Sequence, residues 1–362
     1  MLSHSYEKDD VTFMLESSDI KLMSVQEKEE AIQSGVHYGR ISSKESKPSQ
    51  RYIDLFDSKV EQFSEHIAYQ CIELAGIILA SRKNPVLISL VRAGTPVGVV
   101  LKRILNKVGF DAPHFSVSIV RDRGLDLVAI DKIIEMGHDP SNFVFVDGWT
   151  GKGVIRNELS KSISKLKSKS IVTPDEMFVL SDIAGVSDYA ATREDTLIPS
   201  ALLNASVSGL VSRSFMIDDT GQLQHCANYL EEFKDVDRSL YFIDAIMAHI
   251  GHIDENILKA NGLQSLRHQD TCRAQAQKSS RDMIHRLQER LGISDANMIK
   301  PGIGESSRVL LRRMPDRIIL KSLNDPSTEH LVDLANSRNV PIEQDASMSI
   351  KAVAIIKDIG ND

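Results

Sequence analysis

Apolar positions recur at helical spacing over residues 52–80, where Ile53, Phe56, Val60, Phe63, Ile67, Leu74 and Ile78 fall on one stripe. Cys71 lies on the same stripe, a place that suits a small buried hydrophobe. From residue 86 the period changes. Val86–Val91 is a nearly continuous apolar run, the mark of a strand buried on both faces. Arg92-Ala93-Gly94-Thr95 follows as a turn. Pro96 suits a first helical turn, and Val97, Val100, Leu101, Ile104, Leu105 and Val108 make one helix face. The unit then repeats. The pattern predicts a strand over 115–120, a charged loop over 121–124 and a helix over 125–136. Next come a strand over 143–146, a helix carrying Ile155, Leu159, Ile163 and Leu166, and a strand over 177–183. Strands alternating with helices predict an α/β fold on a parallel sheet. Right-handed crossovers then place the loops after residues 91, 120 and 146 at one carboxyl edge.

The two ends read differently. The first fifty residues are polar and irregular, with a charged stretch at 27–30 and a Ser/Lys-rich run at 42–49, and are expected to wrap the outside of a domain. Residues 184–213 mix small, hydroxyl and apolar side chains and suit a pocket wall and close-packed core equally. The charged stretch 267–292, with Met283, Leu287 and Leu291 at helical spacing, predicts a helical connector. Beyond it, a helix around 306–314, a strand over 317–320, a helix over 327–336 and strands over 340–343 and 352–357 compose a small α/β module. The expected organisation is therefore 1–266 as the sheet domain with an N-terminal extension, 267–295 as connector, and 296–362 as the terminal module.

Composition narrows the classes. At 362 residues, 42% hydrophobic and 26% charged, the chain is an ordinary soluble globular protein. A net charge of -7 excludes wholesale nonspecific nucleic-acid binding but leaves room for a local basic patch. Aromatic residues at 5% argue against a broad base-stacking surface. Cys71, Cys226 and Cys272 form no CxxC pair, so neither a disulfide framework nor a zinc site is expected. With no signal-like start and no apolar run of membrane length, a reducing cytoplasmic location is expected, with no membrane partner.

The candidate chemistry centres on residues 143–153. An apolar strand empties into Asp147 and then into Thr150-Gly151-Lys152-Gly153, after which a helix begins. Converging backbone N–H groups and a helix dipole make such a turn a phosphate cradle, and the acid beside it suits sugar hydroxyls or a metal. The spacing of a Walker A loop is not met. The Arg92 fork and the N–H groups after it suit a polyanion. Arg121 and Arg123 lie on a loop with a hinge at Gly124 and suit a mobile cover. In the tail, Lys300, Arg308, Arg312, Arg313, Arg317 and Lys321 stand against only Glu305 and Asp316, reversing the acidic balance of the chain.

On Ser89-Leu90-Val91-Arg92-Ala93-Gly94-Thr95-Pro96-Val97-Gly98, Val120-Arg121-Asp122-Arg123-Gly124, 146–153, 198–213 and 304–313, the chain resembles a known family. These are the StiP-type bacterial fusion proteins that join a phosphoribosyltransferase-like domain to a C-terminal Pelota-type RNA-binding domain. They are found with tellurium-resistance and stress-response gene clusters, and the resemblance spans nearly the whole chain. It implies a type I phosphoribosyltransferase-like parallel sheet domain plus a small Pelota-like α/β domain. It also implies a phosphoribosyltransferase, a glycosyltransferase of the pentosyl class. The donor would be phosphoribosyl pyrophosphate (PRPP) with Mg²⁺, or the reverse reaction would run on a nucleotide-like substrate. On this resemblance Asp147, Arg92, Arg121 and Arg123 are catalytic. Ala93, Gly94, Thr95, Thr150, Gly151, Lys152, Gly153, Asn204 and Arg213 bind substrate, and the magnesium arrives with the donor near Asp147. Gly304, Glu305, Ser306, Arg308, Arg312 and Arg313 approach RNA, and a homodimer is compatible with the family. The usual motif carries two adjacent acids and a longer loop. Here Gly148 replaces the second acid and only two residues separate Asp147 from Thr150. That departure sustains an alternative, a noncatalytic nucleotide-sensing RNA-binding protein. Some family members carry a cysteine-protease label. That chemistry needs a thiolate beside a base, and the sequence neighbours His225 and Cys226 are not thereby made to face one another, so the protease ranks last of the three readings.

Overall fold

The computed structural model describes residues 2–17, 22–23, 42–43, 45–217 and 223–357; the charged stretch 27–30 lies outside them. Helix α1 (Gln50–Ser81) leads into strand β1 (Val86–Val91), helix α2 (Gly94–Lys107), strand β2 (His114–Val120) and helix α3 (Leu127–Glu135). Strand β3 (Phe143–Thr150), helix α4 (Val154–Ser168), strand β4 (Met177–Asp182) and strand β5 (Tyr189–Thr192) complete the alternation. The strands run parallel in the order β2-β1-β3-β4-β5, and the short strand Thr12–Phe13 adds in parallel to the outer edge of β2. This is a mixed α/β molecule on a parallel central sheet. Its order reverses between β1 and β3, and a doubly wound sheet opens a crevice at the carboxyl ends of its strands at such a point.

The period-2 alternation of side chains sorts the strands onto two cores. Val86, Ile88, Leu90, Phe143, Phe145, Met177 and Val179 pack with Ile130 and Ile133 of α3 and with Leu159, Ile163 and Leu166 of α4. Leu87, Val91, Val144, Val146, Phe178 and Leu180 face the other way, onto α1 and α2. Both faces are covered, which is why these strands read as unbroken apolar runs.

Four expectations are revised. Strand β3 runs to Thr150, pairing Trp149 with Ser181 and Thr150 with Asp182, so Asp147 stands inside a strand and not at its end. The N-terminal segment does more than wrap the outside, because Leu2, Tyr6, Val11, Phe13 and Leu15 are buried in the main core. Residues 184–213 resolve into β5, two 3-10 turns (Pro199–Ala201 and Ala205–Val207) and the start of strand β6 (Val211–Ile217). Strand β6 pairs antiparallel with β7 (Leu223–Tyr229). After helix α5 (Ser239–Ala248), the predicted connector is the greater, C-terminal part of a 37-residue helix, α6 (Glu255–Leu291). Its start is capped by the Asp254 carboxylate accepting from the Ile257 N–H at 3.0 Å.

The tail forms a second sheet from β8 (Ile299–Pro301), β9 (Pro315–Leu320), β10 (Ile342–Gln344) and β11 (Ala352–Ile356), in the order β8-β11-β9-β10. Helix α7 (Ile303–Arg312) and helix α8 (Glu329–Ser337) accompany it. One face of this sheet packs on Met283 and Leu287 of α6. On the other, Leu310, Ile318, Leu320, Leu331 and Ala335 join the same apolar cluster as α1 and α2. The tail is thus sealed to the main sheet.

Candidate functional site: a cationic cleft between the two sheets

The crevice expected at the β1–β3 switch point is present, and α7 forms its far wall. It has two chambers that share Ala93, Asp147, Trp149, Ile155 and Arg308. The inner one, about 190 Å³, adds Arg92, Asn204, Arg213 and an apolar wall that includes Pro96, Leu203 and Val207. The outer one, about 390 Å³, adds Arg121, Thr150, Lys152, Lys300, Glu305 and Arg313.

Asp147 is held between the chambers by β3, with a carboxylate oxygen accepting from the Gly148 N–H at 2.8 Å. Loss of hydration pushes its carboxyl up to about 6. Arg308 and Arg213 pull the other way and Glu305 adds to the rise. Arg213 donates to the Ile119 carbonyl oxygen. Burial brings its guanidinium down to about 10, the neighbouring Arg92 and Arg308 adding to the effect and Asp147 opposing it. Lys152 donates to the Ala296 carbonyl oxygen at 2.6 Å, and burial with the nearby Lys300 brings its amine down to about 8. Burial likewise holds Lys300 below its ordinary range. Cations crowd here faster than acids balance them.

Of the Arg92–Thr95 turn, Arg92 and Ala93 face the cleft. Arg92 pairs with Glu45, and the peptide joining it to Val91 is cis. Gly94 and Thr95 turn inward: the Thr95 hydroxyl meets that of Ser116 at 2.7 Å, fully buried, and Gly94 lies against the Val146 carbonyl. Thr150, Gly151, Lys152 and Gly153 all line the outer chamber. Arg121 joins them, while Arg123 is exposed on its loop and lines neither chamber. In α7, Arg308 and Glu305 face the cleft, and Arg313 is exposed at its mouth. Ser306 is fully buried, its hydroxyl directed at the Lys300 carbonyl oxygen, and Gly304 abuts the Trp149 ring at the seam between the sheets. The Arg312 side chain lies outside the described ones.

Trp149 carries no role in the motif reading, yet it joins the two walls. Its indole N–H donates to Glu305 Oε1 at 3.3 Å, and the Arg308 guanidinium lies 4.6 Å from the ring centroid. Glu305 also pairs with Arg308 at 3.1 Å, fixing the arginine over the cleft. The available signal is that this is the chain's single Trp, two residues beyond Asp147. Asp147 and Glu305 are the carboxylates at the cleft. Among the described residues no group of three or more His, Cys, Asp or Glu side chains is gathered to hold an ion.

The cysteines stand apart from this cleft. Cys71 is buried in α1, and burial pushes its thiol up. Cys226 is buried in β7, while its neighbour His225 turns to the Ser118 hydroxyl at 2.8 Å and is kept down at about 4, chiefly by burial. Cys272 is exposed on α6, one helical turn beyond His268.

Residues 4–247 match the family described as "Tellurite-like stress resistance cysteine protease StiP". This chain belongs to the StiP family. Residues 278–358 match the Pelota RNA-binding domain. A curated relative named "Cysteine protease StiP", from Acinetobacter baylyi, is 35% identical over 373 residues, covering 99% of this chain and 95% of the relative. A crystal structure described as a putative histidinol-phosphate aminotransferase from Erwinia carotovora atroseptica aligns over 98% of this chain and 93% of its own. Its 11% identity and TM-score of 0.22 carry no argument.

These matches correct the functional expectation. The StiP family and its curated member are named as cysteine proteases, which overturns the reading as a phosphoribosyltransferase with PRPP as donor. The order that ranked the protease last falls with it. The stress-resistance family and the Pelota-type domain stand. No helix of the described residues is long and apolar enough to cross a membrane.

Proposed function

We propose that this StiP-family chain binds RNA, and that the cleft between its two sheets holds the phosphates. One observation carries the reading. Lys300, Arg308 and Arg313, from the segment that matches the Pelota RNA-binding domain, share a cavity with Arg121 and Lys152 of the parallel sheet. Burial first, and neighbouring like charges second, hold the Lys152 and Lys300 amines low, and a phosphate bound beside them would offset the like-charge part. Arg308, stacked and pinned, is pre-oriented for a phosphate fork. The parallel sheet, with its strand order and its strand–turn–helix at 143–168, is read as phosphoribosyltransferase-like in architecture alone. Cys71, Cys226 and Cys272 form no disulfide, which fits a cytoplasmic site of action.

The test is fluorescence anisotropy with a short single-stranded RNA over a range of salt. Binding should weaken as salt rises, and Arg308→Ala and Lys300→Ala should each weaken it and lower the salt slope by about 0.7. Absence of binding, or an unaltered slope in both variants, sinks the proposal.

A second reading rests on the relatives' name. For peptide hydrolysis, Cys272 is the thiol that solvent reaches, with His268 one turn away on the same helix. Cys272→Ala should then abolish peptidase activity and Cys226→Ala leave it. Full activity in the Cys272 variant removes that assignment.

A further inference from the structure

Glu45, in the segment that precedes α1, lies behind Arg92 at the wall of the inner chamber. Its carboxylate is met by the Arg92 guanidinium, by the Ser212 hydroxyl at 3.0 Å and by the Ala205 N–H at 3.3 Å. Its side chain is only 13% exposed. Among the described residues, donors from three separate parts of the fold, the end of β1, a 3-10 turn and β6, thus converge on one anionic group. Such convergence is a built anion socket. Arg92, which closes it, also lines the inner chamber.

We infer that this socket is a phosphate subsite and that Glu45 is a resident carboxylate standing in for the ligand's phosphate. The inference rests on the reading of the cleft as an RNA site and names the part of the RNA it takes, a terminal 5′-phosphate. A phosphate monoester carries nearly two charges and three acceptor oxygens, against the single charge and two oxygens of a carboxylate. The same donors therefore favour it. An internal phosphodiester carries one charge and continues in both directions, so a socket in the chamber wall suits an end better. Glu45 can leave without unravelling a core. It belongs to no helix or strand, and the ion pair that follows it, Lys47 to Asp235 at 2.6 Å, is exposed on both sides. While Glu45 is in place, Arg92 is neutralised and the chamber's cationic field is weaker. When it withdraws, Arg92 is freed beside Arg213 and Arg308.

The experiment uses the full chain as wild type, Glu45→Gln and Glu45→Ala, the second because a glutamine amide can still fill the socket. Inorganic phosphate is titrated by calorimetry. The same short RNA, with a 5′-phosphate or a 5′-hydroxyl, is titrated by anisotropy, and a thermal melt checks the fold. Removing the Glu45 charge should tighten inorganic phosphate about tenfold and create a matching preference for the 5′-phosphorylated RNA. Adding Arg92→Gln should erase both gains. Phosphate affinity equal in all three proteins overturns the inference. If RNA still binds in that case, the cleft reading survives without the socket. A phosphate gain with no RNA binding at all keeps the socket and removes the RNA reading. A phosphate gain with equal binding of the two RNA ends assigns the socket to a free phosphate species and overturns the 5′-end assignment.

Discussion

Asp147 shows how much a single position owes to its neighbours. An aspartate after an apolar run looks like the acid of a strand-end turn, and its place among Arg213, Arg308 and Glu305 cannot be read from residues 143–153. Its carboxyl ordinarily titrates at 3.8 and is pushed up to about 6 here, chiefly by lost hydration. The folded state therefore holds the proton more tightly than the unfolded one, and stability falls as the pH rises from about 4 to about 6. Asp147→Asn should stabilise the protein at pH 7, by on the order of 1–3 kcal/mol, and leave it unaltered near pH 3.5. Denaturant melts at the two pH values check this, and an equal gain at both would place the effect elsewhere. Trp149 carried even less local signal, because its partners Glu305 and Arg308 lie more than 150 residues away.

At the scale of elements, the strands and helices around the parallel sheet follow from the apolar pattern to within a few residues. Burial on two faces leaves a strong imprint on a sequence. Helix α6 left less. In its first half only Leu258 and Gly262 are buried, so no apolar stripe marks it. What holds it is a backbone contact. A β-carbon on Gly262 would stand 2.0 Å from the Gly76 carbonyl oxygen, and one on Gly76 would stand 2.7 Å from that of Leu258. Two helices this close tolerate nothing larger than glycine at the crossing. Gly262→Ala should cost about 1–3 kcal/mol in chemical denaturation, against the slight gain that alanine brings to a free helix. A gain in stability would show that the crossing is looser than described. Strand β3 was underestimated for a related reason. Asp147, Gly148 and Thr150 look like turn residues, and it is the pairing of Asp147 with Val179, Trp149 with Ser181 and Thr150 with Asp182 that keeps the segment extended.

At the scale of the whole molecule, the tail sheet is tied to the main parallel sheet. Asp195, before the 3-10 turns, accepts from the N–H groups of Ile303 at 2.9 Å, Lys351 at 2.9 Å and Ala352 at 3.2 Å, tying the tail to the main domain. Gly151 lies against the Pro301 carbonyl and Gly304 against the Trp149 ring. The glycines that suggested phosphate and RNA approach also let the two sheets meet. Gly304→Val would drive a side chain into that ring. Calorimetry should then show two unfolding transitions where wild type shows one, because the tail no longer shares the main core's cooperativity. A single transition at the wild-type temperature would mean that the seam does not couple the two parts. By itself the sequence determined the alternation of strands and helices, the parallel sheet, the edge where its loops gather and the basic character of the tail, because periodicity and local charge are short-range properties. Only the tertiary structure decided that the tail closes over that edge, that Trp149 joins the two walls, that Glu45 fills a socket beside Arg92, and that no cysteine enters the cleft. Those outcomes depend on contacts between residues tens to hundreds of positions apart, and the local pattern at either end of such a contact carries no record of its partner.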